Sequence, residues 1–321
     1  MKCDLMKIRL IHIIFLFFTI LVFSACRRDN RHRVHQGFVD EPEIFSENQE
    51  NSNSNLETAS ELWMQPDLDL LIPSMSGNVP SQILKRIGYI TSYNHDTKCP
   101  NWVAWHLTAD RCDGNFSRRG VPYYDEDGIV IGIGLVTSET QHGNYILDQE
   151  AEEPRQLLSD WPNNEYDMSH GHICPAGDNK WSKAAMNQSF LLTNMCPQSE
   201  KLNGGAWKKL EEKCRIWAKQ FCDIFIVAGP VYSEGIVSRT IGESKVAVPD
   251  AYFKVILYKG NSCNTVGFLY LNDDSSQPMR HAVRTVDEIE ELTGFDFFSC
   301  IPDDIEDKIE NRCDLNFWSI N

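Results

Sequence analysis

The predicted elements of the second part of this 321-residue chain, taken in order, indicate an α+β fold. Two strand-like runs, RIGYITSYN and NWVAWHLTA, come first, and the turn-forming segment HDTKCP between them predicts a hairpin. A helix follows, and after it come three more strand-like runs, DIFIVAGPVY, AYFKVILYK and NTVGFLYLND. Because helices and strands do not alternate regularly, we predict an α+β fold and not a doubly wound parallel sheet.

The helix is predicted in the segment GGAWKKLEEKCRIWAKQF. Its apolar residues recur at intervals of three and four, at Trp207, Leu210, Cys214, Trp217 and Phe221. This spacing places them in one stripe along the helix. We therefore expect the helix to bury one face.

The N-terminus is predicted to be a signal peptide of the lipoprotein type, residues 1–25. The uncharged apolar run Ile11–Ala25 follows Lys7 and Arg9 and ends at Cys26, in a segment FSAC that resembles the lipobox of bacterial lipoproteins. We expect export from a bacterial cell and a lipid anchor at Cys26, which would hold the protein at the outer membrane or facing the periplasm. An uncleaved signal anchor is the alternative.

Composition divides the remainder of the chain into two parts. Residues 26–81 are rich in Asn, Ser and Glu and poor in aromatic residues, which predicts a disordered acidic tether. Residues 82–321 have the length of a single folded domain.

The net charge of −16 argues against nucleic-acid binding by the whole surface. The region from Trp161 to Phe221 is nevertheless locally basic, with eight Lys or Arg residues against six Asp or Glu residues. A nucleic-acid contact and an ordinary solvated helix face both fit this excess. The basic residues are Lys180, Lys183, Lys201, Lys208, Lys209, Lys213, Arg215 and Lys219.

The segment SHGHICPAGD contains two histidines, His170 and His172, on either side of a glycine. If the segment is a strand, both imidazoles point to the same face, because successive side chains alternate. A catalytic zinc needs a third protein ligand, and no HExxH motif or suitably spaced carboxylate supplies one nearby. The pair alone therefore leaves a structural and a functional role open.

The region Ser169–Glu211 resembles, along its whole length, the signature block of the DNA/RNA non-specific endonucleases, which are ββα-metal nucleases related to mitochondrial endonuclease G. That block opens with Asp-Arg-Gly-His, continues through Ser/Thr-Asn-x-x-Pro-Gln to Leu-Asn-x-x-x-Trp, and ends with Leu-Glu. The matching segments here are SHGH, TNMCPQ, LNGGAW and LE. Outside this block, NWVAWHLT, VAGPVY and TVDEIEELTGFDFF also resemble the family, so that the likeness runs from about Arg86 to Glu310.

The resemblance implies a mainly antiparallel sheet core with a ββα-metal finger that carries the active site. It implies hydrolysis of phosphodiester bonds in DNA and RNA with little sequence preference. His172 then corresponds to the general base and Asn203 to the direct protein ligand of Mg²⁺, with Mn²⁺ as the alternative ion. Glu211 corresponds to a holder of metal-bound water, and Asn194 corresponds to an active-site asparagine.

The resemblance also implies residues that contact the substrate. Arg119 corresponds to the arginine that stabilises the transition state, and Arg118 is nearly as good a match. His170 occupies the place of the family's arginine, while Ser169 occupies that of its aspartate, so a permanent charge is replaced by a group that titrates near neutrality. We place Lys208 with His170 among the substrate-binding residues.

Three further expectations concern the same block. Asn203 could instead be the N-cap of the helix that follows it, and Glu211 could be an ordinary solvated residue. The motif segments that contain Cys174 and Cys196 come together in the family, which suggests a disulfide between them. For the whole protein, the alternatives are a surface lipoprotein that binds nucleic acid with weakened catalysis, and a phosphodiesterase with a different substrate.

Overall fold

The computed structural model describes residues 71–75, 77–116, 122–124, 130–133, 145–161, 168–260 and 262–320. All of them belong to one compact unit, residues 54–321. The predicted signal peptide, Cys26 and most of the predicted tether lie outside the described residues.

Within the described residues, seven strands form a central sheet in which every neighbouring pair is antiparallel. The predicted hairpin of RIGYITSYN and NWVAWHLTA is confirmed as the pair β3–β4. Numbered in chain order, the strands are β2 (Gln82–Lys85), β3 (Ile90–Asn94), β4 (Cys99–Thr108), β9 (Asp223–Val231), β12 (Ala251–Lys259), β13 (Cys263–Leu271) and β14 (Val283–Arg284), and their order across the sheet is β14-β13-β12-β9-β4-β3-β2.

Both faces of the central sheet are covered, which explains why its middle strands are almost continuously apolar. Along β4, Val103 and Trp105 belong to the hydrophobic cluster on one face, whereas Trp102 and Ala104 belong to the cluster on the other. We refer to these as the first and second faces of the sheet. Each large side chain buried in this way contributes about 1.5–3 kcal/mol to folding.

Eight shorter strands form four two-stranded antiparallel sheets among the described residues. One of them joins β1, near the start of the described chain, to β15. Leu71 is also completely buried in the second face, so packed residues lie ahead of the predicted domain start at residue 82, and that boundary stays a prediction. The short strands are β1 (Ser74–Met75), β5 (Pro122–Tyr124), β6 (Val130–Ile133), β7 (Met168–His172), β8 (Met195–Ser199), β10 (Thr240–Ile241), β11 (Val246–Ala247) and β15 (Phe295–Asp296).

The longest helix of the described chain lies against the first face and buries the predicted stripe. Trp207, Leu210, Cys214 and Trp217 are buried there, and Phe221 is half-buried. None of the helices in the described segments is both long and apolar enough to cross a membrane. The helices are α1 (Lys183–Gln188), α2 (Glu200–Leu202), a π-helical turn (Asn203–Trp207), α3 (Lys208–Phe221), α4 (Met279–Ala282), α5 (Val286–Thr293) and α6 (Asp303–Glu310).

Candidate active site

The candidate active site is built on a ββα unit made of β7, β8 and the helix that follows β8. The two strands pair antiparallel in regular register, with Gly171 opposite Cys196. A side chain at Gly171 could not be accommodated, because a Cβ atom there would lie 2.9 Å from the carbonyl oxygen of Cys196. The glycine between the two histidines therefore marks a close approach of the two strands, with the pairing uninterrupted.

His170 and His172 both face Tyr145, as the alternation of side chains along a strand predicts. The ring of His170 is stacked between Tyr145 and Trp161, with centroid distances of 3.6 and 3.8 Å. An arginine guanidinium is also planar and stacks on aromatic rings, so a histidine can occupy the same slot as the arginine of the motif. A direct contact between His170 and substrate stays a prediction.

His172 ends β7, where its position is fixed from two sides. Its ring packs edge-on against Phe190, with the centroids 5.1 Å apart. Its carbonyl oxygen accepts a hydrogen bond from the indole Nε1 of Trp207, at 3.3 Å. Because Trp207 lies in the π-helical turn that begins at Asn203, this bond connects the strand of the histidine to the helix of the asparagine.

Asn203 is held by a serine that the sequence analysis did not assign to the site. Its amide Nδ2 donates to the Oγ of Ser169 at 2.8 Å, and the Ser169 hydroxyl donates in turn to the carbonyl oxygen of Gln198 at 3.1 Å. Since the nitrogen is committed to Ser169, the Oδ1 atom of the amide is the group left to bind a cation. An amide oxygen suits Mg²⁺, which is bound by few protein oxygens and keeps several waters.

The interpretation of Asn203 as an N-cap is wrong. The helix begins three residues earlier, and Ser199 is its cap, with a side-chain oxygen that accepts from the backbone N–H of Leu202. Asn203 lies inside the helix, at the start of the π-helical turn. A π-helical turn widens the backbone locally, and such turns are frequent at functional sites.

Glu211 lies one turn into α3 and is half-buried. Burial raises the pKa of its carboxyl to about 7, an effect that the Lys254 ammonium opposes and the Asp178 carboxylate reinforces. The half-buried position differs from that of an ordinary solvated glutamate, and a role of Glu211 beside a metal stays a prediction. A carboxyl that changes charge near neutrality can act as an acid or a base, or can hold water beside a metal.

Lys254 is the second residue that the sequence analysis missed. It is completely buried on β12, and its Nζ has no hydrogen-bond partner among the described residues. The ammonium instead lies over the rings of Trp207, at 4.3 Å, and Trp105, at 5.3 Å. Cation–π contacts of this kind are worth about 2 kcal/mol when desolvated. One charge inside the apolar run AYFKVILYK was the available signal.

Asp178 and Arg215 complete a buried charge cluster with Glu211 and Lys254. The Arg215 guanidinium donates to Asp178 at 2.7 Å, and Trp105 Nε1 donates to the other carboxylate oxygen at 3.1 Å. Burial raises the pKa of Asp178, and the Arg215 charge opposes that rise. Lys254, Asp178 and Arg215 thus each influence the protonation of Glu211.

Asn194 holds the backbone next to the candidate site through three buried hydrogen bonds. It is completely buried, and its Nδ2 donates to the carbonyl oxygens of Cys174 and Ser189 while its Oδ1 accepts from the N–H of Cys174, all at 2.9 Å. These bonds fix the chain just after His172. The geometry gives Asn194 a positioning role, and direct participation in catalysis stays a prediction.

The disulfide suggested between Cys174 and Cys196 is wrong, since all nine cysteines in the described part of the chain are free thiols. Both residues are buried, but their neighbours differ. The Sγ of Cys174 accepts from the Asn179 side chain at 3.3 Å, whereas burial and the neighbouring Cys99 thiol raise the pKa of Cys196. The two side chains therefore lie in separate surroundings.

Of the basic residues proposed to contact substrate, some lie among the described residues and others lie outside them. Lys208 is exposed at the first position of α3, and Arg118 and Arg119 lie outside the described residues. Lys209 lines an open groove of about 470 Å³ beside the π-helical turn. Lys201 lines the same groove, and its ammonium is paired with Asp274 at 2.9 Å.

The antiparallel pair β7–β8 and the helix that follows it form the ββα unit of the ββα-metal class. Within that class, the chain belongs to the DNA/RNA non-specific endonuclease family, because the model of that family matches residues 67–304. This match confirms the resemblance inferred from the segments SHGH, TNMCPQ, LNGGAW and LE.

Three similar proteins illustrate how far the likeness extends. The mitochondrial nuclease EXOG of Danio rerio is 32% identical over 177 residues, which are 53% of this chain and 45% of the relative. A nuclease of Nostoc is 28% identical over 278 residues, 81% of this chain and 91% of the relative. A chain in a crystal structure of an EndoG/EndoGI complex has the same fold, with a TM-score of 0.59, 20% identity and coverage of 80% of this chain and 96% of that one.

This chain spans about half the length of the EXOG relatives that it matches, from 41% in Mus musculus to 58% in Homo sapiens. The likeness to EndoG confirms the predicted α+β fold with its mainly antiparallel sheet and ββα unit.

Proposed function

We propose that this protein is an endonuclease that hydrolyses phosphodiester bonds of DNA and RNA with little sequence preference and requires a divalent metal ion, Mg²⁺ or, as the alternative, Mn²⁺. The observation that carries the proposal is the orientation of Asn203. Its amide nitrogen is bonded to Ser169, so its oxygen is presented for a hard cation, in the same ββα unit as His172. Family membership supports the same reaction class.

In the proposed reaction His172 is the general base. A neutral imidazole accepts a proton from water near physiological pH, and the water then attacks the phosphorus atom. The bond from Trp207 to the His172 carbonyl oxygen and the packing against Phe190 hold the ring in a defined place. Positioning of this kind is a large part of phosphoryl-transfer catalysis.

Asn203 would hold the metal through Oδ1, and Glu211 would orient the water around it. When bound, such an ion stabilises negative charge on the phosphate and leaving-group oxygens. Glu211 performs its part as a carboxylate, so a pKa of about 7 makes this function sensitive to pH near neutrality. Lys254 and Arg215 favour the charged form, and Asp178 disfavours it.

Positive charge near the phosphate would come from Arg119, or Arg118, and from exposed lysines such as Lys208. His170, stacked between two rings, would support this surface when protonated. Because the rest of the protein is acidic, association with nucleic acid depends on this basic region, and the phosphate contacts of its lysines and arginines weaken as the salt concentration rises.

A plasmid-nicking assay tests the proposal. The full chain should convert supercoiled plasmid to open circles and then to fragments with Mg²⁺, and a chelator should stop the reaction. A substitution of Asn203 by alanine should raise the Mg²⁺ requirement, while the exposed control Ser233→Ala should behave as the wild type. Binding of plasmid without any cleavage would instead support a nucleic-acid-binding protein with lost catalysis.

We also propose that the protein is exported from a bacterial cell and anchored by a lipid at Cys26, on the outer membrane or facing the periplasm. The apolar run and the FSAC segment support this proposal. Cells fed a fatty-acid analogue should label the wild type and the control Cys3→Ser, but not Cys26→Ser. Equal labelling of Cys26→Ser would contradict the anchor.

A further inference from the structure

Two short helices on the second face of the sheet bring three carboxyl groups together, far from the ββα unit in the chain. Asp287 and Glu290 lie on α5, and Glu310 is the last residue of α6. One oxygen atom of each carboxyl group lies within 4.8 Å of the other two. None of the three belongs to the candidate active site.

Glu310 distinguishes this cluster from a group of exposed acidic residues, because its side chain is buried. Its exposed fraction is only 4%, and its Oε1 has no hydrogen-bond partner among the described residues. It also stands at the C-terminal end of α6, where the helix dipole disfavours a negative charge. A buried carboxylate in such a place is stable only when a cation or a proton compensates it.

The surroundings add further negative charge. Burial and then the neighbouring carboxylates, Glu290 and Glu306 first, raise the pKa of Glu310 to about 9. Burial and the Asp296 and Asp287 carboxylates raise the pKa of Glu290 to about 7, although the N–H of Phe297 opposes this. Each of these groups therefore has a strong tendency to bind a positive partner.

Two hydrogen bonds fix the backbone and side-chain positions in the cluster. The Oε1 of Glu290 accepts from the N–H of Phe297 at 2.8 Å, which leaves its other oxygen for a ligand. The Oγ1 of Thr265 on β13 donates to the carbonyl oxygen of Ile309 at 2.6 Å and so holds the end of α6 beside the sheet. The three carboxyl groups are thus brought together by two helices that the sheet supports.

We infer that Asp287, Glu290 and Glu310 bind a calcium ion that fastens α6 to α5. Oxygen ligands select a hard cation, and opposite oxygens around Ca²⁺ are about 4.6–5.2 Å apart, a spacing that accommodates the cluster as it stands. Mg²⁺ dehydrates reluctantly and is usually bound through one or two carboxylates, so three carboxylates favour Ca²⁺. This site is independent of the proposed nuclease reaction.

Thermal unfolding of the purified full chain tests the inference. The Asn203→Ala variant is used throughout, so that ion binding at the candidate active site is weakened and contributes less to the measured midpoint. At a Ca²⁺ concentration about 100-fold above Kd, the midpoint should rise by about 5 to 10 °C relative to chelator. The same concentration of Mg²⁺ should give a clearly smaller rise.

Two variants on the Asn203→Ala background assign the effect. Glu310→Gln keeps the shape of the protonated side chain and should abolish the rise, whereas Glu291→Gln, an exposed change on the same helix, should preserve it. Equilibrium dialysis with radioactive calcium should find one ion per Asn203→Ala chain and none with Glu290→Gln added. No calcium binding to the Asn203→Ala chain, or undiminished binding after Glu290→Gln and Glu310→Gln, would overturn the inference.

Discussion

Ser169→Ala tests the orientation of Asn203, on which the proposed metal site depends. The change removes the acceptor of the Asn203 Nδ2 hydrogen bond, which is 2.8 Å long, and with it the link to the Gln198 carbonyl oxygen. The amide can then rotate and present nitrogen in place of oxygen. Nothing else in the ββα unit has to change, because the strands pair through their backbones.

The magnitude follows from the energy of one neutral hydrogen bond. A net value of about 0.5–1.5 kcal/mol corresponds to about a 2- to 13-fold change in metal affinity, and loss of a group that orients a metal ligand typically costs about 10- to 100-fold. We therefore expect the Mg²⁺ concentration for half-maximal cleavage by Ser169→Ala to rise about tenfold. The rate at saturating Mg²⁺ should stay within about twofold, since His172 is untouched.

The assay is a Mg²⁺ titration of plasmid nicking, repeated with Mn²⁺ and with the exposed control Ser233→Ala. Folding is verified by the melting temperature of each variant. An unchanged Mg²⁺ requirement in folded Ser169→Ala would refute the view that Ser169 sets the direction of the Asn203 amide. A large loss at saturating metal would assign Ser169 a different role.

Three other outcomes are expected. Lys254→Met should raise the pKa of Glu211 further, so the acid limb of the pH–rate profile should shift from about 7 to higher pH. An acid limb at an unchanged pH would show that Lys254 does not influence the protonation of Glu211. Asn194→Ala removes the Asn194 hydrogen bonds to three buried backbone groups and should lower the free energy of unfolding, measured by urea denaturation, by about 2–4 kcal/mol. A change below about 0.5 kcal/mol would contradict the positioning role of Asn194. In the presence of chelator, the free energy of unfolding should fall as the pH rises to about 9, by up to about 1.4 kcal/mol per pH unit for each titrating group. The reason is that Glu290 and Glu310 have raised pKa values in the folded state, so the folded protein binds more protons than the unfolded chain. Glu310→Gln should make the free energy of unfolding less dependent on pH in the upper part of this range.

Local patterns of the sequence were sufficient to predict one hairpin of the sheet and the buried stripe of the longest helix of the described chain. The hairpin β3–β4 and the buried stripe of α3 follow from alternation and from three-and-four spacing, and both are found. The start of the helix was misplaced at Asn203, because a π-helical turn lets one helix continue through two glycines that resemble a break. The pairing of β1 with β15, more than 200 residues away, is a contact that no local pattern of the sequence indicates.

In the candidate site too, local motifs were predicted from the sequence, whereas contacts between distant residues were not. An ordered set of motifs predicted His172, Asn203 and Glu211 as site residues, and the structure places the two histidines on one face of β7 as alternation requires. The Asn203–Ser169 bond and the position of Lys254 under Trp207 are contacts between distant parts of the chain. No spacing rule encodes such contacts, since they arise only when the sheet and the ββα unit have folded together.

Single-turnover cleavage by His172→Ala at saturating Mg²⁺ is the most direct test of the central claim, that His172 is the base of a metal-dependent nuclease. The exposed control His281→Ala should keep the wild-type rate, and melting temperatures should show that both variants are folded. Loss of a general base predicts a rate about 100- to 10,000-fold lower for His172→Ala, with an unchanged Mg²⁺ requirement. Cleavage by folded His172→Ala at the wild-type rate would contradict the claim.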